Sequence, residues 1–508
     1  MLKKVLSWLG KDEAKDQPKV KKNSHNSKNK SRRNPASHSG RDKKTNVERS
    51  HSTELPTPRQ FDGATTIPRN EHPISRKHFS PSALKVLYRL KDNGYDAYLV
   101  GGCIRDVLLG IEPKDFDVVT NATPEQVKAC FNNCRLIGRR FRLANVVFGR
   151  EIIEVATFRG HHESEKELDE AKISKQSEEG QLLRDNVFGS IEEDAERRDF
   201  TINALYYSIN DYAIYDFANG MQSIEQGLVD LIGDPETRYR EDPVRMLRAI
   251  RFSNKLRMKI APRTEQPIHE LGHLLRNIPP ARLFDEFLKL FLSGKAEDNV
   301  QSLRDFGLLK YYFPVVDQVL SGNRDDKEER MLQQMCINTD DRINQDKSIS
   351  PAYVLAVLFW YPLEAHAKDL ELESGLHPYD AFQMAMNDIL HRAIQTVAIP
   401  KRFTATMRDI WQFQHRLTKI TGKRPAQLIE QAKFRAAYDF LLLRAEVEGG
   451  DLEELADWWT QYQESDEGKR IALTRNKQNY GNEQKKGKRT GSYARKRRPR
   501  TRTKTDKE

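Results

Sequence analysis

Apolar positions change rhythm twice along this chain. In "SPSALKVLYRLKDNGYDAYLVGG" Leu84, Leu87 and Leu90 recur at helical spacing, and the run then passes into "AYLVGG", a short apolar stretch that predicts a buried strand. A helix over Cys103–Leu109, an acid-bearing strand in "KDFDVVT", a helix signalled by Thr123-Pro124, and strands in "LANVVFG" and "EIIEVATFR" follow. The segment from His161 to Arg184 is polar and without period, which predicts a mobile excursion. Beyond residue 235 the strand patterns stop. There "DPVRMLRAIRF", "PARLFDEFLKLFL", "PAYVLAVLFWY", "PKRFTATMRDIWQFQHRL" and "FRAAYDFLLLRAEVE" each space their apolar residues three or four apart. The pattern predicts an α+β chain: a small mixed α/β head followed by an elongated all-helical portion.

The two ends lack either rhythm. From about Lys11 to Arg76 the chain is Lys, Arg, Ser, Asn and Pro with almost no large apolar residue, and the last forty residues are again basic and unpatterned. Such compositions bury too little apolar surface to offset the entropy of ordering, so both ends are expected to be disordered basic arms. The first residues, "MLKKVLSWLGKDEAK", place Leu2, Val5, Leu6 and Leu9 on one helical face. Residues 1–10 are thus compatible with weak contact to a membrane surface or with a plain leader, and they are too short for a signal peptide.

Composition narrows the class. At 508 residues the chain exceeds the roughly 250 to 300 at which a single core stops growing, so it must be modular. A net charge of +11 with both ends basic points to a polyanionic partner, nucleic acid ahead of a membrane. Four cysteines, Cys103, Cys130, Cys134 and Cys336, are too few and too irregular for a disulfide framework, which favours a reducing cytoplasm. Cys130 and Cys134 have no second pair at finger-like spacing and are read as ordinary thiols. No run of about 18 apolar residues suggests a spanning helix.

The acid-bearing strand carries the first chemical signal. Asp115 and Asp117 lie two apart, so on a strand they would share a face, where two carboxylates repel unless a cation sits between them. Either a solvated strand end or a divalent metal site accounts for them. Just upstream, Gly101 and Gly102 end a strand and open a helix, which lets the backbone approach a phosphate at the helix amino end, and Arg105 follows one turn on. Glu154, between Ile152-Ile153 and Val155-Ala156, is a third acid in an apolar strand. If that strand neighbours the aspartate strand, Glu154 completes a three-carboxylate site for two divalent ions; otherwise an ion pair with Arg159 or Arg142 explains it.

"GGCIRD", then "DFD", "RRDFTINAL" (197–205), "EDPVRMLRAIRF" (241–252) and "PPARLFDE" (279–286), in that order, resemble the motif set of the class II nucleotidyltransferase superfamily, which contains bacterial poly(A) polymerases and CCA-adding enzymes. The resemblance covers roughly residues 80 to 465. Within the superfamily, "LIGRRFRLANVVFG" with Arg139-Arg140, "FRAAYDFLLLRAE" and the basic carboxyl end look like the poly(A) polymerase branch.

That resemblance implies roles residue by residue. Asp115 and Asp117 match the metal-binding pair, and Gly101, Gly102 and Arg105 match triphosphate contacts. Asp199 matches an acid near the ribose or the metals, while Arg198 and Asn203 match sugar and phosphate contacts. Glu154 and Asp199 both stand as candidates for the third catalytic carboxylate. In the helix after Asp242-Pro243, Asp242 is an N-cap candidate; Asp242, Arg245 and Arg248 then line one face while Val244, Leu247 and Ile250 point to a core. An Asp beside an Arg offers the acceptor and donor that adenine's pairing edge requires, and in the resembled family this face reads the incoming base. The plainer alternative is a surface pair between Asp242 and Arg245.

The implied division is a basic arm (1–78), a nucleotidyltransferase head (79–235), a helical neck with the base-reading helix (236–300), a helical RNA-binding body (301–465) and a basic tail (466–508). The implied activity is template-independent transfer of AMP from ATP to RNA 3′ ends by a monomeric bacterial cytoplasmic enzyme using two Mg²⁺, with Mn²⁺ as an alternative. Single-stranded RNA and ATP are the implied partners, with RNA-decay machinery as a protein partner. A CCA-adding enzyme is the nearer rival and a catalytically inactive RNA-binding protein the farther one.

Overall fold

The computed structural model describes residues 57–138, 142–160, 174–176, 182–185 and 187–475. The expectations for residues 1–56 and 476–508, and for Arg139 and Arg140, lie outside them. The described chain divides into two compact units, Met1–Leu275 and Arg276–Glu508, so the division falls inside the segment expected as a neck.

The first unit is built on an eight-stranded sheet. Its strands are β1 (Thr65–Ile67), β2 (Ala97–Val100), β3 (Asp117–Thr120), β4 (Cys134–Ile137), β5 (Leu143–Phe148) and β6 (Glu151–Thr157). A separate pair, β7 (Ser174–Gln176) and β8 (Leu182–Asp185), precedes β9 (Leu205–Ser208) and β10 (Ile214–Asp216). The sheet order is β1-β10-β9-β2-β3-β6-β5-β4, with β3 and β6 parallel and the other neighbours antiparallel.

Helix start signals act at several places in this unit. Ser80 caps α1 (Pro81–Asp92) by accepting from the Ala83 N–H, and Pro81 supplies a first turn that needs no donor. α2 (Gly102–Leu108) opens directly from the glycine turn. Thr123 and Gln126 form a reciprocal cap on α3 (Pro124–Cys130), as Ser190 and Glu193 do on α4 (Ile191–Glu196). α1, α2 and α3 bury Val86, Leu87, Leu90, Ile104 and Val127 against Leu99, Val118, Ile153 and Val155 of the sheet. Each such fully buried aliphatic side chain contributes about 1.5–3 kcal/mol. The alternate strand residues, Tyr98, Val100, Val119, Tyr206 and Tyr215, face the other way and pack with Ile191 and Ala195 of α4. α5 (Gly220–Gln226), β11 (Leu228–Val229), α6 (Pro235–Glu241), α7 (Val244–Leu256), β12 (Lys259–Ile260) and α8 (Pro262–Leu271) complete the unit.

Several expectations change. Residues 57–78 are not an arm: β1 pairs with β10, Ile74 is fully buried, and Phe61 packs edge-on against Tyr215 at 4.8 Å. Isolated apolar residues in a basic stretch anchor it by burying singly. The polar excursion contains the antiparallel β7–β8 pair. Strand pairing also continues past residue 235, since β11 and β12 pair in parallel. At the carboxyl side, a helix over Glu467–Arg475 extends beyond the expected start of the tail.

In the second unit every described element is helical. The expected apolar runs appear as helices over Pro280–Phe291, Pro351–Leu358, Trp360–Ser374, Lys401–Leu417 and Phe434–Glu448. Aromatic rings form much of their core: Phe287, Phe291 and Phe313 meet within 4.8–6.1 Å. Two buried indoles donate to backbone carbonyls, Trp411 to that of Ala356 and Trp459 to that of Leu417. No helix among the described residues is long and apolar enough to cross a membrane.

Candidate active site

The sheet brings the sequence-distant acids together. β2 ends at Val100, which pairs with Asp117 at the start of β3, so the Gly101-Gly102 turn lies beside that carboxylate. Gly101 has φ 79°, a left-handed conformation that side-chain-bearing residues rarely adopt, and α2 begins immediately after it. On the other side of β3, parallel pairing puts Glu154 of β6 in register with Asp117. Paired residues in a sheet share a face, so both acids lie on the face that carries Val100 and Val119. Asp115 stands two residues before β3 rather than inside it, so its neighbourhood to Asp117 owes nothing to strand alternation.

Asp117 opens to solvent, yet the protein crowded around it makes burial the main cause that pushes its pKa up to about 6. Glu154 adds to the rise, Arg198 opposes it, and Asp115 raises it further. The two arginines considered as partners for Glu154 reach other acids: Arg142 contacts Glu125 at 3.0 Å, and Arg159 lies 3.8 Å from Asp194. Among the described residues no group of three His, Cys, Asp or Glu side chains converges as a metal cage, so the expected three-carboxylate cage is not assembled. An open pair still suits Mg²⁺, which binds through one or two carboxylates and completes its shell with water and substrate phosphate.

Next to these acids lies a set of paired charges. Arg198 reaches Asp194 at 3.1 Å and the Tyr206 hydroxyl at 2.8 Å, and Tyr206 donates to Asp194 at 2.8 Å. Burial would raise the Asp194 carboxyl, but Arg198, Arg159 and Tyr206 outweigh it and hold it low. Asp199 accepts from the Phe200 N–H at 2.8 Å and from Asn203 at 3.3 Å, and it pairs with Arg248 of α7. Burial opposes these partners, which nevertheless bring the Asp199 pKa down to about 2. Arg105 is 2% exposed; it donates to Asp106 at 2.9 Å through Nε and to Asn203 at 2.6 Å through Nη1.

The α7 face differs from its expected form. Asp242 is not an N-cap: its backbone N–H closes α6 on the Arg238 carbonyl, and α7 starts after Pro243 with no side-chain cap. The reason is that α6 runs straight into α7, leaving Asp242 at the corner. Arg245 turns inward, 8% exposed, to Glu241 at 2.9 Å and the Arg238 carbonyl at 2.6 Å, while Arg248 reaches Asp199. Val244, Leu247 and Ile250 are fully buried, as their spacing predicts. Sequence reasoning missed Asp194, Asp106 and Glu241. Asp194 to Arg198 and Glu241 to Arg245 are both four apart, a helical pairing signal that was available; the partners of Asp106 carried no local signal.

Known proteins resemble this chain over most of its length. Residues 97–230 match the family model described as the poly A polymerase head domain, residues 257–320 the probable RNA and SrmB-binding site of polymerase A, and residues 374–504 the arginine-rich C-terminus of polymerase A. Poly(A) polymerase I of Salmonella typhimurium is 56% identical over 402 residues, covering 79% of this chain and 86% of that protein. Its Haemophilus influenzae counterpart is 48% identical over 83% of this chain and 92% of its own length. A CCA-adding enzyme of Lactobacillus helveticus is 34% identical over only 44% of this chain and 53% of its own. Among solved structures, the Bacillus stearothermophilus CCA-adding enzyme in complex with CTP matches 76% of this chain and 83% of its own with a TM-score of 0.51 and 26% identity. With more than half of its aligned residues identical to a relative whose length it largely spans, the chain belongs to the poly(A) polymerase I family.

Proposed function

We propose that this chain is a nucleotidyltransferase that adds AMP from ATP to the 3′ ends of single-stranded RNA without a template. The observation that carries the reading is the register of Asp117 and Glu154 beside the Gly101-Gly102 turn, with Asp115 two residues away. Asp115 and Asp117 are the residues that would hold Mg²⁺, or Mn²⁺ in its place, with Glu154 adjoining. Burial, then Glu154 and Asp115, raise Asp117 to about 6 against the pull of Arg198, and its hard oxygen donors fit such an ion. When bound, the metal supplies charge stabilisation for an RNA 3′-hydroxyl attacking the α-phosphate and for the departing pyrophosphate.

The chain's own groups do the positioning. The Gly101-Gly102 backbone and the amino end of α2 receive phosphate oxygens, and Arg198, anchored by Asp194 and Tyr206, presents positive charge near Asp117. Asp199 and Asn203, held by Arg248 and Arg105, make the sugar contacts. Asp242, Arg245 and Arg248 read the adenine edge; Arg245 spends only part of its five donors on Glu241 and the Arg238 carbonyl. The helical body and basic ends hold the RNA backbone, in the cytoplasm that four free thiols suit.

A CCA-adding activity is less favoured because the CCA-adding relative aligns over less than half of this chain. An inactive RNA-binding role is less favoured because Asp115, Asp117, Glu154 and both glycines are all present. Incubation with RNA, Mg²⁺ and each nucleoside triphosphate separately, followed by product sizing, tests the reading. Long adenylate tails on generic RNA are expected; addition of C, C and A to a truncated tRNA, stopping there, would overturn it.

A further inference from the structure

One chain of polar contacts runs from the glycine turn to both ends of a single α7 face. Lys255 lies 3.7 Å from Asp106 Oδ2, and Asp106 Oδ1 accepts from Arg105 Nε at 2.9 Å and Nη2 at 2.5 Å. Arg105 Nη1 donates to Asn203 Oδ1 at 2.6 Å, Asn203 Nδ2 donates to Asp199 Oδ1 at 3.3 Å, and Asp199 pairs with Arg248. Lys255 and Arg248 both belong to α7, so the chain closes on the helix where it began. Phe252, between them in sequence, fills the middle: the guanidinium carbons of Arg105, Arg248 and Arg251 sit 5.2, 5.7 and 4.3 Å from its ring centre.

We propose that Asp106 and Lys255 are positioning residues that lock the glycine turn to α7, so that one frame sets both phosphate placement and base selection. The inference rests on the nucleotidyltransferase reading above. A guanidinium 2% exposed is tolerable only with its donors satisfied, and Asp106 accepts two of the three bonds described for Arg105. Without the Asp106 charge, Arg105 is no longer held toward Asn203, and the Asn203–Asp199–Arg248 end loses its reference to the phosphate site. Lys255 fixes Asp106 from the helix side. Neither residue needs to touch ATP. Their effect is felt through atoms that do, and misplacement of reacting groups by about 1 Å costs on the order of 100-fold in rate.

The test compares wild type, Asp106→Asn, Asp106→Glu and Lys255→Met in RNA extension with ATP and with CTP. Melting temperature is recorded alongside kcat and KM. Asp106→Asn should lower kcat/KM for ATP about 10- to 100-fold and narrow the preference for ATP over CTP. Lys255→Met should move both in the same direction by less, and Asp106→Glu should recover part of the loss. Combined with Arg248→Lys, Asp106→Asn should lose less than the product of the two single effects, because both cut the same chain. If the variants shift only the melting temperature while kcat, KM and nucleotide preference stay within twofold of wild type, the residues are merely structural and the inference is overturned. Should Asp106→Asn fail to fold, Lys255→Met decides by the same criteria. Failure of the wild type itself to add AMP would overturn the underlying reading, and this inference with it.

Discussion

Two acids lie within one site and are treated in opposite ways. Asp117, at a strand end among Glu154 and Asp115, is pushed up to about 6, whereas Asp199, beside a helix with Arg248, Asn203 and a backbone N–H, is brought down to about 2. Both are crowded by protein, so burial alone does not separate them. What differs is the local supply of positive charge and donors. Around Asp117 two acids outweigh one arginine, whereas Asp199 has Arg248, Asn203 and a backbone N–H in its favour. A group that the fold leaves under-neutralised is suited to a ligand, while one that the fold neutralises is suited to holding its neighbours in place.

The largest effect should come from the under-neutralised side. Asp115→Asn or Asp117→Asn keeps the shape and removes a charge, so extension activity should fall by roughly 10³-fold or more. The melting temperature should stay level or rise for Asp117→Asn, because the ionised Asp117 is disfavoured in the fold at pH 7. Steady-state extension and thermal melts check both halves, and wild-type activity in Asp115→Asn would remove the metal assignment.

Asp199→Asn should behave in the contrary way, losing stability as well as activity. Its folded pKa lies below the unfolded one, so its contribution, about 2 kcal/mol, is present above the unfolded pKa near 4 and lost as pH falls through about 2. Denaturant unfolding of wild type and variant between pH 7 and pH 2 should show the gap closing at the acid end. A gap that does not depend on pH would mean that packing, and not the Arg248 pair, makes the difference.

A smaller effect is expected from the basic carboxyl end. Deleting residues 476–508 should weaken RNA binding and flatten the slope of log affinity against log salt, because fewer counterions are released. ATP affinity should not change. An unchanged slope would show that this segment does not contact RNA.

Much of this contrast was readable before any coordinates. The glycine turn, the aspartate pair and the periodic helices are local signals, and α1, α2, α3, β2, β5 and β6 lie where the pattern places them. The Glu154 partnership was readable only as a condition, because which strands neighbour one another is a tertiary fact. Phe61, Ile67 and Ile74 were lost among basic residues since single anchors have no period. The inward turn of Arg245 escaped because Asp242 looks like a helix start, although Glu241, one residue earlier, is the acid that takes the guanidinium. Asp106 and Lys255 meet across a long stretch of chain, and no spacing rule connects them.

The contrast itself is tested most directly by the response of thermal stability to Mg²⁺ in wild type, Asp117→Asn and Asp199→Asn. An ion that binds only the folded state raises the melting temperature as its concentration passes the dissociation constant. Wild type and Asp199→Asn should both show the rise, the latter from a lower starting point, and Asp117→Asn should not. An equal rise in Asp117→Asn would contradict the claim that Asp117, and not Asp199, takes the ion.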